Sequence, residues 1–459
     1  MTILEDHIAR HAVLHPDRPA IVCGSDRCTY ADLHARIEAR MASLVPEGKT
    51  IRHSEDNSPI FPLRAEPTID FLVTYFALHR LGIAAAPLER DMPEEAFQKV
   101  TASLTACRCP VGTADVLYTT GTTGRSKGVM VSHRTIIADA ENLVAGQGFT
   151  PDTVFVVNGP LNHIGSLSKV YPVMLLGATL IIVDGLKDLN AFFNAFKYTA
   201  PATVPSGFAA ETPRTFATFL VPASIRILLQ LASDRLSALA DRLDFIETGA
   251  AAISQADMET LCRLLPHTRL YNTYASTETG IICTHNFNEP VPQSGCLGRP
   301  MPHSAVHITA DGLIACTGDT LMTGYVGEPE RTAQVLRDGV LYTSDIGTID
   351  EQGRLHLRGR EDDVINVGGF KVAPTEVEDA AMSHPGVADC LCIGVDHIIT
   401  GKALKLLVVA KDGAMPDKRA LAQYLRSRLE PFKVPMLYEQ VNEIKRTFNG
   451  KPDRKHYKT

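Results

Sequence analysis

Short runs of β-branched and other apolar residues alternate with helical patterns along much of this chain. Three such runs have the length of a strand: ATLIIVD at 178–184, LDFIETG at 243–249 and RLYNTYA at 269–275. The segment TIDFLVTYFALHRLG at 68–82 instead carries apolar residues at helical spacing and ends at Gly82, a typical helix stop. Because alternating strands and helices pack as layers, the pattern predicts an α/β fold rather than a helix bundle or a sandwich.

The texture of the sequence changes near residue 350. The stretch at 347–372 combines two short strands, tight turns and a cluster of charges, and TEVEDAAMSHPG at 375–386 predicts a helix with Thr375 as its N-cap. A strand pair and another helix follow, and 459 residues exceed the usual size of one domain. We predict a large multi-subdomain N-terminal domain of layered sheets and helices at 1–361, and a small mobile α+β domain at 362–459.

Composition excludes several classes of protein. A net charge of −7 argues against a nucleic-acid surface, and the apolar stretch at 173–183 is too short to span a membrane. The first ten residues include early acids and lack the apolar core of a signal peptide. The ten cysteines contain no pair of CxxC motifs, and the two-residue step from Cys390 to Cys392 predicts two buried thiols on one strand face. We therefore expect a reduced, cytoplasmic protein without a membrane span.

The stretch LYTTGTTGRSKGVMVSHR at 117–134 is a candidate anion-binding loop. It is not a Walker A loop, because Ser126 precedes Lys127 and Gly128 follows it. Its glycines nevertheless allow backbone N–H groups to approach a polyanion, its hydroxyls can donate hydrogen bonds, and Lys127 adds a positive charge. Alone, the stretch is explained equally well as a mobile turn between two strands.

Five stretches, in order along the chain, resemble the motifs of the adenylate-forming superfamily, which includes the acyl-CoA synthetases (AMP-dependent CoA ligases). They are the loop above, YNTYASTETG at 271–280, LYTSDIG at 341–347, GREDDVINVGGFKVAPTEVE at 359–378 and KRTFNGKPDR at 445–454. The segments PDRPAIV, CTYADLHARI and FLVPASIRILLQL also fit, so the resemblance covers nearly the whole chain. It implies an acid–thiol ligase that activates a carboxylic acid with ATP to an acyl-adenylate and transfers the acyl group to coenzyme A.

The resemblance implies a site for the phosphates of ATP and for Mg²⁺. Thr277 would contact the α-phosphate, and Glu278 would hold Mg²⁺, a hard ion that prefers carboxylate and phosphate oxygens. The positions that would hold the β- and γ-phosphates are Thr119, Thr120, Gly121, Thr122, Thr123, Gly124 and Lys127. Taken alone, Glu278 is explained equally well as an acid in the first turn of a helix.

The resemblance also implies a site for the nucleoside. Tyr274 would lie against the adenine, and Ala250 and Ala251 would line its edge. Asp345 would accept both ribose hydroxyls, and Arg360 would brace the nucleotide. Taken alone, Tyr274 is more often a core residue and Asp345 a turn cap.

Lys451 is the implied catalytic lysine. Two anions must meet in the first step, and Lys451 would bridge the acyl and phosphate oxygens as charge develops between them. The resemblance further implies that the C-terminal domain rotates about Asp362, so that Lys451 leaves the site. The segment 366–371 would then line a tunnel for the thiol, with Gly368 and Gly369 close to the pantetheine arm.

The stretch PLNHIGSLS at 160–168 bears on the choice of acid. It resembles the P-L-x-H-x-x-G pattern of acyl- and aryl-activating members, which would put His163 near the carboxylate site. Amino-acid-activating relatives have an aspartate in this region, and none stands between Pro160 and Ser168. The sequence thus favours a small carboxylic acid without an α-amino group. An o-succinylbenzoate-type or other aryl acid and a short or medium acyl acid both remain open.

Several positions depart from the family pattern. Ala275 stands where glycine is usual, Leu313 where glutamate is usual and Asn366 where lysine is usual, and the connection at 88–115 is short. These departures keep two alternatives open: a synthetase that loads a separate carrier protein, and a catalytically degenerate nucleotide-binding protein. Retention of Lys127, Glu278, Asp345 and Lys451 favours an enzyme.

A metal site at His7, His11 and His15 is a weaker alternative. Four-residue steps put the three imidazoles on one helix face, which is a possible arrangement for Zn²⁺. No carboxylate or cysteine stands at matching spacing, and Pro16 ends the helix. We therefore expect no zinc there.

Overall fold

The fold is described from a computed structural model that covers residues 2–45, 57–119, 127–199, 215–289, 293, 295–411, 413–446 and 452–457. Within these residues the α-helices are α1 (Leu4–Leu14), α2 (Tyr30–Leu44), α3 (Ile69–Arg80), α4 (Glu94–Thr105), α5 (His133–Gln147), α6 (Ile164–Leu167), α7 (Val170–Leu176), α8 (Leu189–Ala195), α9 (Pro222–Leu231), α10 (Ser233–Ser237), α11 (Gln255–Leu264), α12 (Pro329–Val335), α13 (Pro374–Met382) and α14 (Lys418–Arg426). Short 3-10 turns follow at Glu361–Asp363, Pro431–Lys433 and Arg454–Tyr457.

The strands alternate with these helices over most of the chain. They are β1 (Pro19–Cys23), β2 (Asp26–Thr29), β3 (Asn57–Ser58), β4 (Ile60–Arg64), β5 (Ala84–Leu88), β6 (Cys109–Pro110), β7 (Thr113–Thr119), β8 (Lys127–Ser132), β9 (Val154–Val157), β10 (Thr179–Ile182), β11 (Phe216–Phe219), β12 (Leu243–Gly249), β13 (Arg269–Ser276), β14 (Gly280–Asn286), β15 (Cys296–Pro300), β16 (Ser304–Ile308), β17 (Leu313–Gly318), β18 (Gly324–Tyr325), β19 (Leu336–Arg337), β20 (Val340–Ile349), β21 (Leu355–Arg360), β22 (Ile365–Val367), β23 (Phe370–Val372), β24 (Val387–His397), β25 (Gly401–Ala410) and β26 (Leu437–Gln440).

The largest sheet has the order β16-β17-β20-β21-β15-β14-β13-β12-β11-β9-β10-β1-β2, with β19 paired to β20. Its central strands β10, β9, β11, β12 and β13 run parallel. Alternate side chains of β12 enter different cores, since Phe245 packs in one cluster of buried residues and Ile246 in another. The centre of the sheet is therefore covered on both faces, as is usual for parallel strands.

A second sheet of order β18-β8-β7-β5-β4 carries the predicted phosphate loop. Strands β4, β5 and β7 are parallel, whereas β7 and β8 form an antiparallel pair. Strand β18 pairs with the outer side of β8. This places residues around 325, distant in sequence, beside the first residues of β8.

The C-terminal part forms its own hydrophobic core. A three-stranded sheet, β24-β25-β26, packs with α13 and α14 around buried side chains such as Val377, Leu406 and Leu421. The two sheets upstream and this smaller α+β unit confirm the predicted fold class. The boundary between 361 and 362 stays a prediction; it falls in the 3-10 turn Glu361–Asp363.

Two contacts join the C-terminal unit to the preceding helices. Arg226 on α9 donates from Nη1 to Asp389 Oδ1 on β24 at 2.9 Å, and from Nη2 to Asp257 at 3.2 Å. The backbone N–H of Gln255, at the start of α11, donates to Asp379 Oδ1 on α13 at 3.0 Å.

The structure confirms most of the local predictions. The helix over 68–82 is α3, capped by Thr68, and the three apolar runs are β10, β12 and β13. Cys390 and Cys392 are both buried in the C-terminal core. The prediction of Thr375 as an N-cap is wrong: α13 begins at Pro374, whose ring fixes φ for the first helical position, and Ala373 is the N-cap.

None of the helices in the described ranges is both long and apolar enough to cross a membrane. The apolar stretch at 173–183 is divided between the end of α7 and strand β10.

Candidate active site

Strands β7 and β8 frame the predicted phosphate loop. Thr119 ends β7, Lys127 begins β8, and the two are partners in the register of this antiparallel pair. Both residues are partly buried. The residues between them that the sequence implicates in phosphate binding lie outside the described residues: Thr120, Gly121, Thr122, Thr123 and Gly124.

Lys127 and Glu278 share one hydrogen-bonding partner, Tyr325. The Lys127 ammonium donates to the Tyr325 hydroxyl at 3.5 Å, and this hydroxyl donates to Glu278 Oε1 at 3.1 Å. Burial and the nearby Arg331 lower the pKa of Lys127, and burial together with Glu278 raises the pKa of Tyr325. Tyr325, in the stretch TGYVGEPE, was not among the site residues predicted from the sequence.

A tight turn between β13 and β14 presents Thr277 and Glu278. The Ser276 hydroxyl donates to Thr279 Oγ1 at 3.0 Å and also accepts the Thr279 backbone N–H at 3.0 Å. Gly280 has φ +67°, and a Cβ at this position would lie 2.4 Å from the Thr320 carbonyl oxygen. Only glycine fits here without strain, so the turn is held from both sides and both side chains remain partly accessible.

Asp345 is the centre of a second hydrogen-bonded group. The Tyr274 hydroxyl donates to Asp345 Oδ2 at 2.7 Å, and Arg360 Nε lies 3.5 Å from Oδ1. Asp345 and Arg360 are register partners on β20 and β21. Burial, with the Asp345 charge, raises the pKa of Tyr274, so the phenol stays protonated and keeps donating. One oxygen of Asp345 is thus hydrogen-bonded to a phenol, and the other lies beside a guanidinium group.

The remaining nucleoside-site residues follow the carboxyl ends of neighbouring strands. Ala250 and Ala251 come directly after β12, and Tyr274 lies near the end of β13, the adjacent parallel strand. Ala250 is exposed and has φ +66°, an uncommon conformation for a residue with a Cβ. Because ligands of open α/β sheets bind at this edge, the placement fits a nucleotide cleft.

His163 lies at the same edge of the sheet, after β9. It is the N-cap residue of the short helix α6, and its side chain is partly buried. Nearby, a buried ion pair that sequence reasoning missed joins Lys169 Nζ to Glu247 Oε1 at 2.7 Å, with both side chains only 1% exposed. Lys169 Nζ also lies 5.2 Å from the ring centroid of Phe219. In the sequence, Lys169 directly precedes the apolar residues of KVYPVMLL, a position that indicates a buried lysine in need of a partner.

Lys451 lies outside the described residues, but the chain on both sides of it is anchored. Arg446 and Pro452 form a β-bridge, and Arg446 Nη2 contacts Asp389 Oδ2 at 2.5 Å. Arg454 Nη2 donates to Glu378 Oε2 at 2.8 Å. The segment that carries Lys451 therefore leaves from, and returns to, fixed points on the C-terminal unit.

The implied hinge and thiol-tunnel residues lie in two turns that follow β21. Asp362 is exposed in the 3-10 turn, and Gly368 and Gly369 form an exposed turn with φ +59° and +94°. The Asn366 side chain accepts the Gly369 N–H at 2.8 Å, so this departure from the family pattern stabilises the turn. Gly368 donates to the carbonyl of Thr400, within the C-terminal unit.

Of the three histidines considered as a weaker zinc alternative, His7 and His11 lie on α1 and His15 is its C-cap. His11 Nε2 contacts the Leu175 carbonyl oxygen at 3.0 Å, which occupies one of its ring nitrogens. A different group, Glu5, His79 and His133, is buried with its candidate ligand atoms within 4.8 Å of one another, and His79 Nδ1 lies 2.8 Å from Glu5 Oε1.

Comparison with known proteins identifies two matching families. Residues 107–326 match the family described as AMP-binding enzyme, and residues 376–451 match the AMP-binding enzyme C-terminal domain. Lys127, Glu278 and Tyr325 all fall within the first match, as does Tyr274 of the second hydrogen-bonded group, and Lys451 is the last residue of the second match.

Similar proteins include several CoA-linked ligases. Feruloyl-CoA synthase of an Amycolatopsis species is 29% identical over 495 residues, which cover 96% of this chain and 96% of that protein. A methyl-dioxo-octahydro-indenyl propanoyl:CoA ligase of Mycobacterium tuberculosis is 30% identical, covering 76% of this chain and 67% of that protein. Among solved structures, ATP-bound MatB from Rhodopseudomonas palustris superposes with a TM-score of 0.82 at 23% identity, covering 99% and 98% of the two chains. That likeness shows a shared fold.

Proposed function

The chain belongs to the adenylate-forming superfamily, as an enzyme of the AMP-forming acyl-CoA ligase type, and we propose that it activates a carboxylic acid without an α-amino group. In the first step a carboxylate oxygen attacks the α-phosphorus of ATP, and the bond to the bridging oxygen breaks to release pyrophosphate. In the second step the thiol sulfur of CoA attacks the acyl carbon, AMP leaves, and the thiol proton passes to solvent.

The observation that carries the proposal is the joining of the two sheets at the implied phosphate site. Glu278, from a turn of the large sheet, and Lys127, from the first residue of β8, meet at one tyrosine hydroxyl. A carboxylate and an ammonium group that contact the same hydroxyl suit a metal–phosphate ligand, because the carboxylate can bind the metal and the ammonium group can bind phosphate oxygens. Asp345, a carboxylate held by the Tyr274 hydroxyl and lying beside Arg360, can accept hydrogen bonds from a pair of ribose hydroxyls.

The donor set near Glu278 fits Mg²⁺. One carboxylate oxygen accepts from Tyr325, while the residue remains partly accessible and Thr277 stands beside it. When bound, Mg²⁺ would neutralise charge on the phosphates during transfer. Glu278 and the phosphate oxygens of the substrate would hold it. Lys127 and Glu278 would orient the phosphates of ATP so that the carboxylate of the acid can approach the α-phosphorus.

We assign the remaining implied roles in the same way. Tyr274, Ala250 and Ala251 would surround the adenine, and Arg360 would brace the nucleotide beside Asp345. His163, at the same sheet edge, would lie near the acid. Within the predicted phosphate loop, Thr119 and the residues from 120 to 124 would bind the departing pyrophosphate.

The C-terminal unit, predicted to span 362–459, would deliver Lys451 for the first step. Rotation about Asp362 would withdraw it for the second step and bring Gly368 and Gly369 to the arm of CoA. A unit with its own hydrophobic core is suited to such rigid-body motion. The location in the cytoplasm stays a prediction.

A panel of carboxylic acids scored for pyrophosphate release tests the proposal. It should include ferulic acid, o-succinylbenzoate, short, medium and long fatty acids, and amino acids as controls. We expect release with one or more acids that lack an α-amino group, and thioester formation only after free CoA is added. Release with amino acids alone would contradict the assigned substrate class, and transfer to a holo-carrier protein but not to CoA would contradict the assigned acceptor. No release with any acid would favour the degenerate nucleotide-binding protein.

A further inference from the structure

We propose that Tyr325 is a positioning residue for acid activation. Its hydroxyl contacts both the Lys127 ammonium and the Glu278 carboxylate and keeps these two groups from pairing with each other. The ammonium then remains available to phosphate, and the carboxylate remains available to the metal. The inference rests on the proposed function and deepens it. It concerns the first step alone, because pyrophosphate has left before the thiol attacks.

The hydrogen bonds around the Tyr325 hydroxyl have a defined direction. A lysine ammonium can only donate and a carboxylate can only accept, whereas a phenol hydroxyl does both at once. Lys127 Nζ donates to the hydroxyl at 3.5 Å, and the hydroxyl donates to Glu278 Oε1 at 3.1 Å. The ammonium also lies 4.9 Å from the centroid of the Tyr325 ring, within the range of a cation–π contact. One side chain thereby fixes both charged groups.

Tyr325 is itself held rigidly. It is 4% exposed, its backbone pairs with Val129 in β8, and its N–H donates to Thr332 Oγ1 at 2.9 Å. The following residue, Val326, packs so closely on Gly128 that a Cβ at 128 would lie 2.6 Å from its side chain. A side chain that its neighbours already hold in one conformation can orient other groups without a further loss of conformational entropy during the reaction.

The alternative to this arrangement is a direct ion pair. Without the intervening hydroxyl, the Lys127 ammonium and the Glu278 carboxylate would be free to pair with each other in a partly buried place, where opposite charges attract more strongly than in water. Such a pair would occupy the donor meant for phosphate and the acceptor meant for the metal. Burial lowers the pKa of Lys127, and the charge of Glu278 opposes that shift, so the two groups already interact in the described arrangement.

The test is Tyr325→Phe, which removes one oxygen atom and keeps the ring. We expect pyrophosphate release to fall about 10- to 100-fold in kcat/KM for ATP, as for other lost positioning contacts. We also expect the Mg²⁺ concentration for half-maximal rate to rise. Thioester formation from a supplied acyl-adenylate and CoA should stay within about twofold of the wild type, since that step uses neither group.

Tyr30→Phe is the matched control. It removes another buried tyrosine hydroxyl, one that donates to the Ala178 carbonyl oxygen at 2.7 Å. It should lower the midpoint of thermal unfolding without separating the two half-reactions. The proposal would be overturned if, in Tyr325→Phe, both half-reactions slowed to the same extent and the midpoint of thermal unfolding fell. It would also be overturned if the rate of pyrophosphate release and its Mg²⁺ dependence were unchanged.

A double-mutant cycle with Glu278→Gln gives a second, independent readout. If Tyr325 acts through Glu278, Tyr325→Phe should lower the rate of pyrophosphate release much less in the Glu278→Gln background than in the wild type. Equal, additive losses would overturn the proposal. Failure of the wild type to release pyrophosphate with any acid would instead refute the proposed function, so the two failures are distinguishable.

Discussion

His79 is the clearest case of a single residue whose charge is fixed by the fold. Its Nδ1 lies 2.8 Å from Glu5 Oε1 and its Nε2 lies 3.2 Å from Asp115 Oδ1, in a site without solvent contact. Burial opposes the charge, but the two carboxylates outweigh it and raise the pKa of His79 to about 10. Asp115 is further held by the hydroxyls of Tyr75 and Tyr171. The imidazolium thus ties α1 and α3 to β7.

This charge predicts a pH dependence of stability. The pKa of His79 is raised above its unfolded value of 6.5, so its contribution is fully present below pH 6.5 and is lost as the pH rises through about 10. The free energy of unfolding should therefore fall between these values, and urea titrations across this range measure it. His79→Gln should lose much of that slope, whereas His15→Gln, at the exposed residue that follows α1, should keep it. Equal slopes in the wild type and His79→Gln would contradict the account.

At the scale of elements, the β13–β14 turn determines where Thr277 and Glu278 point. Gly280→Ala should destabilise the protein and lower pyrophosphate release, because φ is +67° and the added Cβ would meet the Thr320 carbonyl oxygen. Gly353→Ala is the matched control, with φ +75° and open space around it. The control should lose about 1 kcal/mol from backbone strain and keep its activity. Thermal unfolding and pyrophosphate release distinguish them, and equal losses would show that contact with Thr320 is unimportant.

The sequence was sufficient to predict elements because local periodicity specifies them. Strands β10, β12 and β13 and helix α3 follow from apolar spacing and a cap, as does the burial of Cys390 and Cys392. The role of Tyr325 could not be predicted from the sequence because its partners are distant: Lys127 is 198 residues away and Glu278 is 47 residues away. The Lys169–Glu247 ion pair was not predicted for the same reason, because the two residues are 78 positions apart. Only the meeting of two sheets brings such residues together.

At the scale of the whole molecule, Arg226 joins the C-terminal unit to α9. Its guanidinium contacts Asp257 on α11 and Asp389 on β24, and Asp389 also binds Arg446 at the base of the Lys451 segment. One carboxylate therefore links the large domain to the segment that carries the proposed catalytic lysine. Loss of this contact should free the C-terminal unit to move.

Limited trypsin digestion measures that freedom. Arg226→Ala should increase the initial rate of cleavage after Arg358 or Arg360, next to the 3-10 turn, by about fivefold or more, the factor that 1 kcal/mol supplies. Arg235→Ala, which removes an arginine of α10 bonded to Asn190, should leave the rate unchanged. Equal rates in all three proteins would show that Arg226 does not restrain the C-terminal unit.

The central claim is that Lys451, delivered by the C-terminal unit, stabilises the charge that develops as a carboxylate attacks ATP. The most direct measurement compares the two half-reactions in Lys451→Ala, with Lys418→Ala, an exposed lysine on α14, as the control. We predict that pyrophosphate release falls about 100-fold or more, while ATP affinity and thioester formation from a supplied acyl-adenylate stay within about twofold of the wild type. Pyrophosphate release at the wild-type rate in Lys451→Ala would contradict the account.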